Sequence, residues 1–403
     1  MNGEGAVLSI HARPADLTLQ ETNVTPDKMV AAMPGTGTTE SLRAPLASRA
    51  EALARVRTLL PCIRQRAART ESDRHVPRET IEELIDASLF RVLTPRMFGG
   101  SELGFSTLVA VTAELATVCG STGWVYGVLA GHSWLLNLFP LRAQQDILGE
   151  QAALDATVFR LAGTVTEEAA GFRLTRGEGR FCSGIDHAHW VIVGCSVARD
   201  DGVREPWFFV VPRDQVEVID DWYTAGMRGT GSKTIRIADA LIPRHRAVSL
   251  KDLRSGQAPG AQVHAGAIYR MPFQDIAPFS LVGAPIGMAR GALNALISSM
   301  APRVASFEPR QLAEQSATFA RLGEAAADID SAYALVMEDA CQLESAEADS
   351  LTDLNRMRFM RDWAYAAQIC RRAATRLFEA GGGTGIYNTS DLQRVWRDVN
   401  SAA

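Results

Sequence analysis

The sequence predicts an α+β fold in which helical regions precede and follow a block of short β-strands. Helical apolar periodicity begins at Leu46, short strand-like segments occupy the middle of the chain, and long Ala- and Leu-rich stretches run toward Ala403. Helices and strands that occur in separate runs, rather than in alternation, are typical of α+β proteins. We therefore expect an N-terminal helical domain at 45–152, a central antiparallel β-barrel-like domain at 153–250 and a C-terminal helical bundle at 251–403.

The N-terminal region separates into an extension and amphipathic helices. Residues 1–44 are rich in Gly, Ala, Pro and Thr without apolar periodicity, which predicts a disordered extension. Two helical faces are then formed by Ile81, Leu84, Ile85 and Leu89, and by Leu108, Val111, Leu115 and Val118. Pro77 suits the first turn of the earlier helix, and glycines between residues 99 and 104 interrupt the helical pattern.

The middle of the chain has the composition of β-strands. Segments such as HWVIVGCSV, PWFFVVP and KTIRIADALIP are short, rich in β-branched or aromatic residues, and separated by Gly, Asp or Pro. They predict antiparallel strands from about 155 to 245. A linker rich in Gly, Pro and Ala follows at 255–267, and amphipathic stretches at 280–300, 311–345 and 352–380 predict the helices of the bundle.

Composition excludes several classes of function. A net charge of −5 and a pI near 5.9 give no sign of affinity for nucleic acids. No apolar run reaches the length that crosses a bilayer, and the first residues do not have the pattern of a secretory signal. Six cysteines without a CxxC pair are typical of buried, reduced thiols. We therefore expect a cytoplasmic protein that binds neither nucleic acid nor membrane.

Two polar residues stand in segments that invite a functional interpretation. His132 lies between Leu129 and Leu135 in an apolar helical stretch, where a histidine is either a core residue bonded to backbone or a pocket residue. Ser183 follows a strand-like segment and precedes Gly184, where a serine is most often a turn residue. From the residues alone, both alternatives stay open at each position.

Three further segments carry small or titratable residues. The segment 226–233 reads GMRGTGSK, and such turns let backbone N–H groups and hydroxyls approach an anion or a ring closely. The glycines at 381–385 close a helix, as a C-cap does, and are not a Rossmann fingerprint because no strand precedes them. Asp186, His187 and His189 suggest metal ligands, but further ligands at zinc-site spacing are not evident, so a structural role is favoured and we predict no metal.

Four segments in one order carry a family resemblance. They are CGSTGWVYGVLAGHSWLLNLFP (119–140), FCSGIDHAHW (181–190), GMRGTGSK (226–233) and LFEAGGGTGIYNTSDLQRVWRD (377–398). Together they resemble the oxygenase component of two-component flavin-dependent monooxygenases, which have the acyl-CoA dehydrogenase fold. The resemblance covers about 46–403 and is strongest to hydroxylases of phenols, including the phenolic seco-steroid of sterol breakdown and 4-hydroxyphenylacetate.

The resemblance implies a reaction, its partners and a set of site residues. A separate NAD(P)H:flavin reductase would supply diffusible reduced FMN or FAD, which reacts with O2 to a C4a-hydroperoxyflavin that hydroxylates a small aromatic substrate. A homotetramer is implied as well. The implied catalytic residues are His132, beside the phenol oxygen, and Ser183, beside flavin N5 and C4a. The implied substrate-binding residues are Trp124, His132 and Ser133, and the implied cofactor-binding residues are Ser183, Arg228, Gly229, Thr230, Gly231, Ser232, Gly382 and Gly383, the last two serving a neighbouring subunit.

The sequence also departs from the family in ways that leave alternatives open. Cys182 replaces the first serine of the family's Ser-Ser-Gly motif. After Arg397 and Asp398 the tyrosine-glutamate-glycine-threonine run of acyl-CoA dehydrogenases is missing, which disfavours dehydrogenation of an acyl thioester. The histidine that the monooxygenases carry there would fall about two residues beyond Ala403. The alternatives are a flavin-dependent N-oxygenase of an amino substrate and an acyl-CoA dehydrogenase-like protein without oxygenase activity.

Overall fold

The computed structural model describes residues 44–149, 153–198, 202–304, 316–345 and 351–403. The extension predicted at 1–44 therefore lies outside the described residues, apart from Ala44. The helix predicted at 311–345 is described from Ser316 onward.

Helices form the first part of the described chain. They are α1 (Arg49–Asp73), α2 (Arg78–Asp86), α3 (Phe105–Ala116), α4 (Gly120–Leu136) and α5 (Leu141–Leu148). Ser48 caps α1 by accepting a hydrogen bond from the backbone N–H of Glu51. Pro77, predicted in the first turn of α2, is the N-cap residue directly before it. The predicted apolar faces are buried, Ile85 only partly. α3 and α4 are buried nearly all round, which suits their almost wholly apolar or small residues.

A mixed β-sheet follows these helices. Its strands are β1 (Asp155–Val158), β2 (Ala162–Glu168), β3 (Gly171–Cys182), β4 (Trp190–Ala198), β5 (Arg204–Pro212), β6 (Glu217–Ile219), β7 (Lys233–Pro243) and β8 (Ala247–Ser249). The strand order is β6-β7-β3-β2-β4-β5-β8, with β1 paired to β4.

The prediction that the strands are antiparallel is correct for most pairs and wrong for β1. β1 runs parallel to β4, with Asp155 opposite Trp190 and Val158 opposite Val193. A second short parallel contact joins β2 to β4 where Val165 lies opposite Val197. Parallel strands need a crossover connection, and here β2 and β3 intervene between β1 and β4. The parallel pairing fixes the position of β1, whose end lines the cavity described below.

The rest of the described chain is helical. Its helices are α6 (Leu250–Ser255), α7 (Phe273–Ile276), α8 (Phe279–Val304), α9 (Ser316–Ser345), α10 (Asp353–Ala380) and α11 (Asp391–Ala402). A capping box begins α10, because Thr352 accepts from the Asn355 N–H and Asn355 accepts from the Thr352 N–H. α8 packs against α3, α4, α9, α10 and α11 and is the centre of the helical core.

One helical segment corrects the expectation that no apolar run is long enough to cross a bilayer. By length and composition alone, the helical segment Phe273–Met300 is long and apolar enough to cross a membrane, with a mean hydropathy of 1.3 in its most apolar window. However, 72% of that window is buried inside the protein. The contacts of α8 with five other helices account for this apolar composition without a membrane.

The structure adds detail to one prediction and corrects another. The linker predicted at 255–267 includes a 3₁₀ turn at Pro259–Gln262, and His264 within it is buried, with its Nε2 2.7 Å from Gln144 Oε1. The Gln144 amide donates both its protons to the backbone carbonyl oxygens of residues 137 and 139. Its Oε1 can only accept, so His264 Nε2 is the donor in the bond between the two side chains. All six cysteines are free, but Cys62 and Cys341 are exposed, so the prediction of buried thiols is wrong for these two.

Candidate functional site

A cavity of about 750 Å³ lies where α4, the strand ends, the 226–232 turn, α8 and α11 meet. Its walls are mostly apolar and include Val128 and Leu281 together with the indole rings of Trp124 and Trp222. Hydroxyl groups and a histidine interrupt the apolar lining, and the charged residues Arg160, Glu178 and Arg180 line it as well. Cavities of this size, with apolar walls and few polar groups, are typical of small-molecule sites.

A β-bulge near the end of β3 positions the serine that faces this cavity. The pairing register of β3 with β7 shifts between Gly179 and Cys182, and Phe181 within the bulge has a left-handed φ of 65°. Phe181 is consequently 68% exposed, whereas Cys182 is fully buried. Ser183 follows at the strand end and lines the cavity, and Gly184 continues the turn at a φ of 72°. Bulges of this kind re-aim side chains beside functional sites.

Ser183 belongs to a group of three hydroxyls, which we call the hydroxyl cluster: Ser183, Thr230 and Ser232. Ser183 Oγ lies 2.7 Å from Ser232 Oγ, which lies 2.6 Å from Thr230 Oγ1. Thr230 Oγ1 donates to the carbonyl oxygen of Met227 at 2.9 Å, and Trp124 Nε1 donates to Ser183 Oγ at 3.3 Å. All three hydroxyl-bearing residues are buried and line the cavity. Strand-end and turn residues are thus joined in one network.

The turn that carries Thr230 and Ser232 is held by α11. Asp398 accepts a hydrogen bond from the Met227 N–H at 2.6 Å, and Met227 has a left-handed φ of 54° that is uncommon outside glycine. Arg397 donates to the carbonyl oxygen of Ala225 at 2.6 Å. Burial raises the pKa of the Asp398 carboxyl to about 6. Ser401, one turn further along α11, lines the cavity itself.

His132 faces the same cavity from α4. It is 6% exposed, and its Nδ1 lies 3.3 Å from the backbone oxygen of Asp155. A carbonyl oxygen can only accept, so Nδ1 carries the proton in the neutral ring and Nε2 keeps a lone pair. Burial lowers the pKa of His132 to about 4, so the ring is neutral at physiological pH. The ring also meets Phe159 edge to face, with centroids 5.9 Å apart.

A buried acid adjoins this histidine through the backbone. The Asp155 carboxyl is almost fully buried, and its Oδ2 has no hydrogen-bond partner among the described residues. Burial raises the pKa of this carboxyl to about 8, so it is largely protonated near neutral pH. Thr157, two residues along β1, lines the cavity with a buried hydroxyl that likewise finds no partner in the described chain.

Several residues predicted as site residues lie outside the cavity lining. The Ser133 hydroxyl lies 2.7 Å from Thr94 Oγ1 and is buried there, because Ser133 and His132 point in different directions from α4. Gly229 contacts α1 and α4: a Cβ at this position would lie 2.4 Å from Thr70 Cγ2. Gly231 has a left-handed φ of 53°, and Arg228 Nε is buried without a partner in the described residues. The turn therefore brings Thr230 and Ser232 to the cavity, and Gly229 and Gly231 allow its close packing.

The second glycine segment is separate from this cavity. A 3₁₀ turn spans Gly382–Ile386 directly after α10, and a Cβ at Gly382 or Gly383 would meet no heavy atom within 4 Å. Gly381 and Gly385 border a smaller cavity of about 370 Å³ with Arg64. The predicted role of Gly382 and Gly383 toward a neighbouring subunit remains a proposal.

Two of the three candidate metal ligands make separate structural contacts, and the third, His187, has a buried Nε2 without a hydrogen-bond partner among the described residues. Asp186 accepts from Lys233 Nζ at 2.8 Å, and His189 Nδ1 accepts from the backbone N–H of Leu154 at 3.1 Å. Among the described residues, no group of three or more His, Cys, Asp or Glu side chains could hold a metal ion.

Some cavity residues were missed from the sequence. Phe159 and Phe181 lie at the cavity although they are 46% and 68% exposed. Trp222 lines it from the loop after β6, and its Nε1 donates to the Met227 carbonyl at 3.0 Å. Its position four residues before a glycine-rich turn was the sequence signal that could have identified Trp222 as a cavity residue. The contact of Asp398 with Met227 spans 171 residues and had no local signal.

Comparisons with known proteins agree with this architecture. Residues 53–147 match the acyl-CoA dehydrogenase N-terminal domain family, and residues 280–403 match the acyl-CoA dehydrogenase C-terminal domain family. The chain is 35% identical to the flavin-dependent monooxygenase oxygenase subunit HsaA of Mycobacterium tuberculosis, over 87% of this chain and 89% of that protein. The chain belongs to the oxygenase components of flavin-dependent monooxygenases. The α+β fold class and the family resemblance predicted from sequence are thereby confirmed.

A second oxygenase component and a solved structure with bound FADH2 are similar over comparable lengths. The oxygenase component of the FADH2-dependent resorcinol hydroxylase from Rhizobium is 32% identical, over 86% of this chain and 88% of that protein. The structure of XiaF from Streptomyces, in complex with FADH2 and glycerol, superposes with a TM-score of 0.80 at 29% identity and covers 91% of each chain. The similarity thus extends across the helical and sheet regions alike.

Proposed function

We propose that this chain is an oxygenase that uses reduced flavin and O2 to hydroxylate a phenol. A separate flavin reductase supplies the reduced flavin, as the names of the oxygenase components in this family imply. The observation that carries the proposal is a single cavity that presents the hydroxyl cluster and a neutral His132. Both are neutral groups that can accept a hydrogen bond in a mostly apolar space, where such bonds are strong.

The residues of the cavity fit a flavin ring system. The indole rings of Trp124 and Trp222 offer flat aromatic surface, and the hydroxyl cluster offers hydrogen bonds at one edge. When bound, the reduced flavin supplies the activation of O2. We assign Ser183 to its N5 edge, with Thr230 and Ser232 supporting Ser183. The resorcinol hydroxylase and XiaF favour FAD, and titration with both reduced flavins distinguishes FAD from FMN.

His132 serves the substrate. Its Nε2 accepts a hydrogen bond from the phenol hydroxyl, because Nδ1 is already committed as a donor to the Asp155 carbonyl. Accepting that bond draws the phenol toward phenolate and raises electron density at the ring carbon beside the oxygen, where an electrophilic oxygen attacks. The apolar wall around it excludes water and limits unproductive loss of hydrogen peroxide.

The test replaces His132 by alanine. His132→Ala is expected to lower hydroxylation by about 10²- to 10⁴-fold while O2 consumption with reduced flavin continues. Product is measured by mass spectrometry of a phenol panel, and peroxide is measured in the same reactions. His245→Ala is the matched control, because His245 pairs with Asp146 outside the cavity. If His132→Ala still converts the O2 it consumes fully into hydroxylated product, His132 is a core residue and not a substrate-binding residue.

The same reactions separate the alternatives. A mass gain of one oxygen on phenols supports the proposal, whereas a gain only on amines supports N-oxygenation. Neither oxygenated product nor peroxide, with reduced flavin and O2 present, supports a protein that keeps the fold without the activity.

We also propose that the chain forms a homotetramer through its C-terminal helices. Apolar side chains at helical spacing on α10 are largely exposed: Leu354 at 77%, Met357 at 67% and Tyr365 at 49%. An exposed apolar stripe of this kind is typical of an interface. Light scattering at micromolar concentration is expected to give four times the chain mass, and a monomeric mass would refute the proposal.

A further inference from the structure

The hydroxyl cluster has a fixed direction of hydrogen bonding. Each hydroxyl carries one proton. Thr230 donates its proton to the Met227 carbonyl, which can only accept, so the 2.6 Å contact between Thr230 and Ser232 needs the Ser232 proton. The 2.7 Å contact between Ser232 and Ser183 then needs the Ser183 proton. All three contacts are satisfied in this one direction, in which every hydroxyl proton points along the cluster from Ser183 toward the Met227 carbonyl.

This direction determines what Ser183 offers to a ligand. Its proton is committed to Ser232, and one of its two lone pairs accepts from Trp124 Nε1. One lone pair remains, on a buried oxygen that lines the cavity. Ser183 therefore meets a ligand as a hydrogen-bond acceptor, and a ligand atom that is itself an acceptor meets a repulsive lone pair there.

The end of the hydroxyl cluster at Thr230 is fixed by backbone groups of Met227. The Met227 carbonyl also accepts from Trp222 Nε1 at 3.0 Å, and the Met227 N–H is held by Asp398 at 2.6 Å. The terminal acceptor cannot become a donor, so the cluster reverses only by losing a bond. Successive hydroxyls in such a chain polarise one another in the same sense.

We propose that Thr230 and Ser232 are positioning residues that make this site selective for reduced over oxidised flavin. The inference rests on the proposed function, in which Ser183 contacts the flavin N5 edge. Reduced flavin carries a proton on N5 and can donate to Ser183. Oxidised flavin has a lone pair on N5, so it meets the Ser183 lone pair unless the cluster gives up a hydrogen bond.

The experiment measures two dissociation constants on the full chain. That of reduced flavin is measured anaerobically, and that of oxidised flavin is measured aerobically. We expect the wild-type protein to favour reduced flavin. Thr230→Val keeps the side-chain shape and frees the Ser232 and Ser183 protons to turn toward the cavity. Its ratio of oxidised to reduced dissociation constants is expected to fall by roughly two- to tenfold, the range of one neutral hydrogen bond, chiefly through tighter binding of oxidised flavin.

Thr112→Val is the matched control, because it removes a buried hydroxyl that has no partner in the described chain and lies in α3, outside the cavity lining. This variant is expected to leave the ratio unchanged. A ratio in Thr230→Val within twofold of wild type, or the same change in Thr112→Val, would overturn the proposal while flavin binding itself stands. A wild-type protein that binds neither flavin would instead overturn the proposed function.

A ligand-side measurement covers the case in which Thr230→Val does not fold, as judged by its thermal melt. Oxidised 5-deazaflavin has a C–H group where oxidised flavin has the N5 lone pair. The wild-type protein is expected to bind oxidised 5-deazaflavin more tightly than oxidised flavin of the same side chain. Equal or weaker binding of the deaza compound would contradict an acceptor at Ser183.

Discussion

The two glycine-rich segments look alike in sequence and differ completely in the structure. In the 226–232 turn, a Cβ at Gly229 would lie 2.4 Å from Thr70 Cγ2 and 2.7 Å from the Thr70 carbonyl oxygen. In the 382–386 turn, a Cβ at Gly383 would meet no heavy atom within 4 Å. The first segment packs against its own chain except where it faces the cavity, whereas the second is exposed apart from Gly385.

Both segments are attached to α11, but by different chemistry. Asp398 and Arg397, near its C-terminal end, hold the buried turn by hydrogen bonds to backbone atoms of Met227 and Ala225. Leu392, near its N-terminal end, makes an apolar contact with the exposed segment beside Gly381 and Gly385. The difference teaches that a glycine-rich sequence does not define a structural role by itself. In the buried turn, glycine is required by close packing against the same chain, whereas around Gly382 and Gly383 the described chain places no heavy atoms within 4 Å of a Cβ.

The largest expected effect is that of Gly229→Ala. The new methyl group collides with both a side chain and a backbone oxygen, and overpacking of this kind costs about 1–3 kcal/mol, occasionally more. We expect a lower thermal midpoint and weaker flavin binding, because the collision moves the turn that carries Thr230. Differential scanning fluorimetry and flavin titration check this. An unchanged thermal midpoint would mean that the turn accommodates the methyl group without loss of stability.

Asp398→Asn is expected to change how stability depends on pH. The folded-state pKa of Asp398, about 6, is above the ordinary value of 3.8, so the folded protein holds this proton more tightly than the unfolded chain does. Its contribution to stability is therefore present at low pH and is lost as pH rises from about 4 to about 6. At about 1.4 kcal/mol per pH unit, the loss is at most ~3 kcal/mol.

The variant removes this titration while an amide oxygen can still accept from Met227. Relative to wild type, Asp398→Asn should gain stability between pH 4 and pH 7, measured as urea unfolding free energies at each pH. Parallel curves for the two proteins across that range would show that Asp398 titrates normally.

A smaller effect is expected for Gly382→Ala. Gly382 has open space around its Cβ position, so only its left-handed φ of 62° opposes the substitution. Holding a non-glycine residue in that region costs about 1–2 kcal/mol. The thermal midpoint is expected to fall slightly, and by less than that of Gly229→Ala. A fall as large would mean that this turn is packed in solution against a partner.

The smallest expected effect is that of Gly383→Ala, which has neither a left-handed φ nor a neighbour within 4 Å. Unfolding free energy should stay within about 0.5 kcal/mol of wild type, as for ordinary surface substitutions. The measurement is made on the same urea curves as Gly382→Ala. A clear loss of stability that depends on protein concentration would locate a subunit contact at this turn.

Much of the fold and part of the site could be predicted from sequence because the signals are local. Apolar periodicity gave the helices, and the polar residues His132 and Ser183 stood out within apolar segments. Ser133 was not separable from His132, because α4 is buried on nearly every side and periodicity then marks no single inner face. Neighbouring helical residues point about 100° apart, so one reaches the cavity and the other reaches Thr94.

The remaining features depend on contacts between distant residues. The parallel pairing of Asp155 with Trp190 joins strands separated by two others in sequence. The bond from Met227 to Asp398 joins the buried turn to α11 across 171 residues, and composition at either end does not encode it. Likewise, the proton direction in the hydroxyl cluster follows from distances among three hydroxyls, two of them 49 residues apart.

Phe159 and Phe181 have a thermodynamic consequence for whatever enters the cavity. Both aromatic rings line it, yet 46% of Phe159 and 68% of Phe181 is exposed to solvent in the free chain. A planar ligand that covers these rings removes aromatic surface from water, and such burial lowers the heat capacity of the complex. The binding enthalpy measured by calorimetry should therefore become more favourable as temperature rises, in proportion to the aromatic area covered.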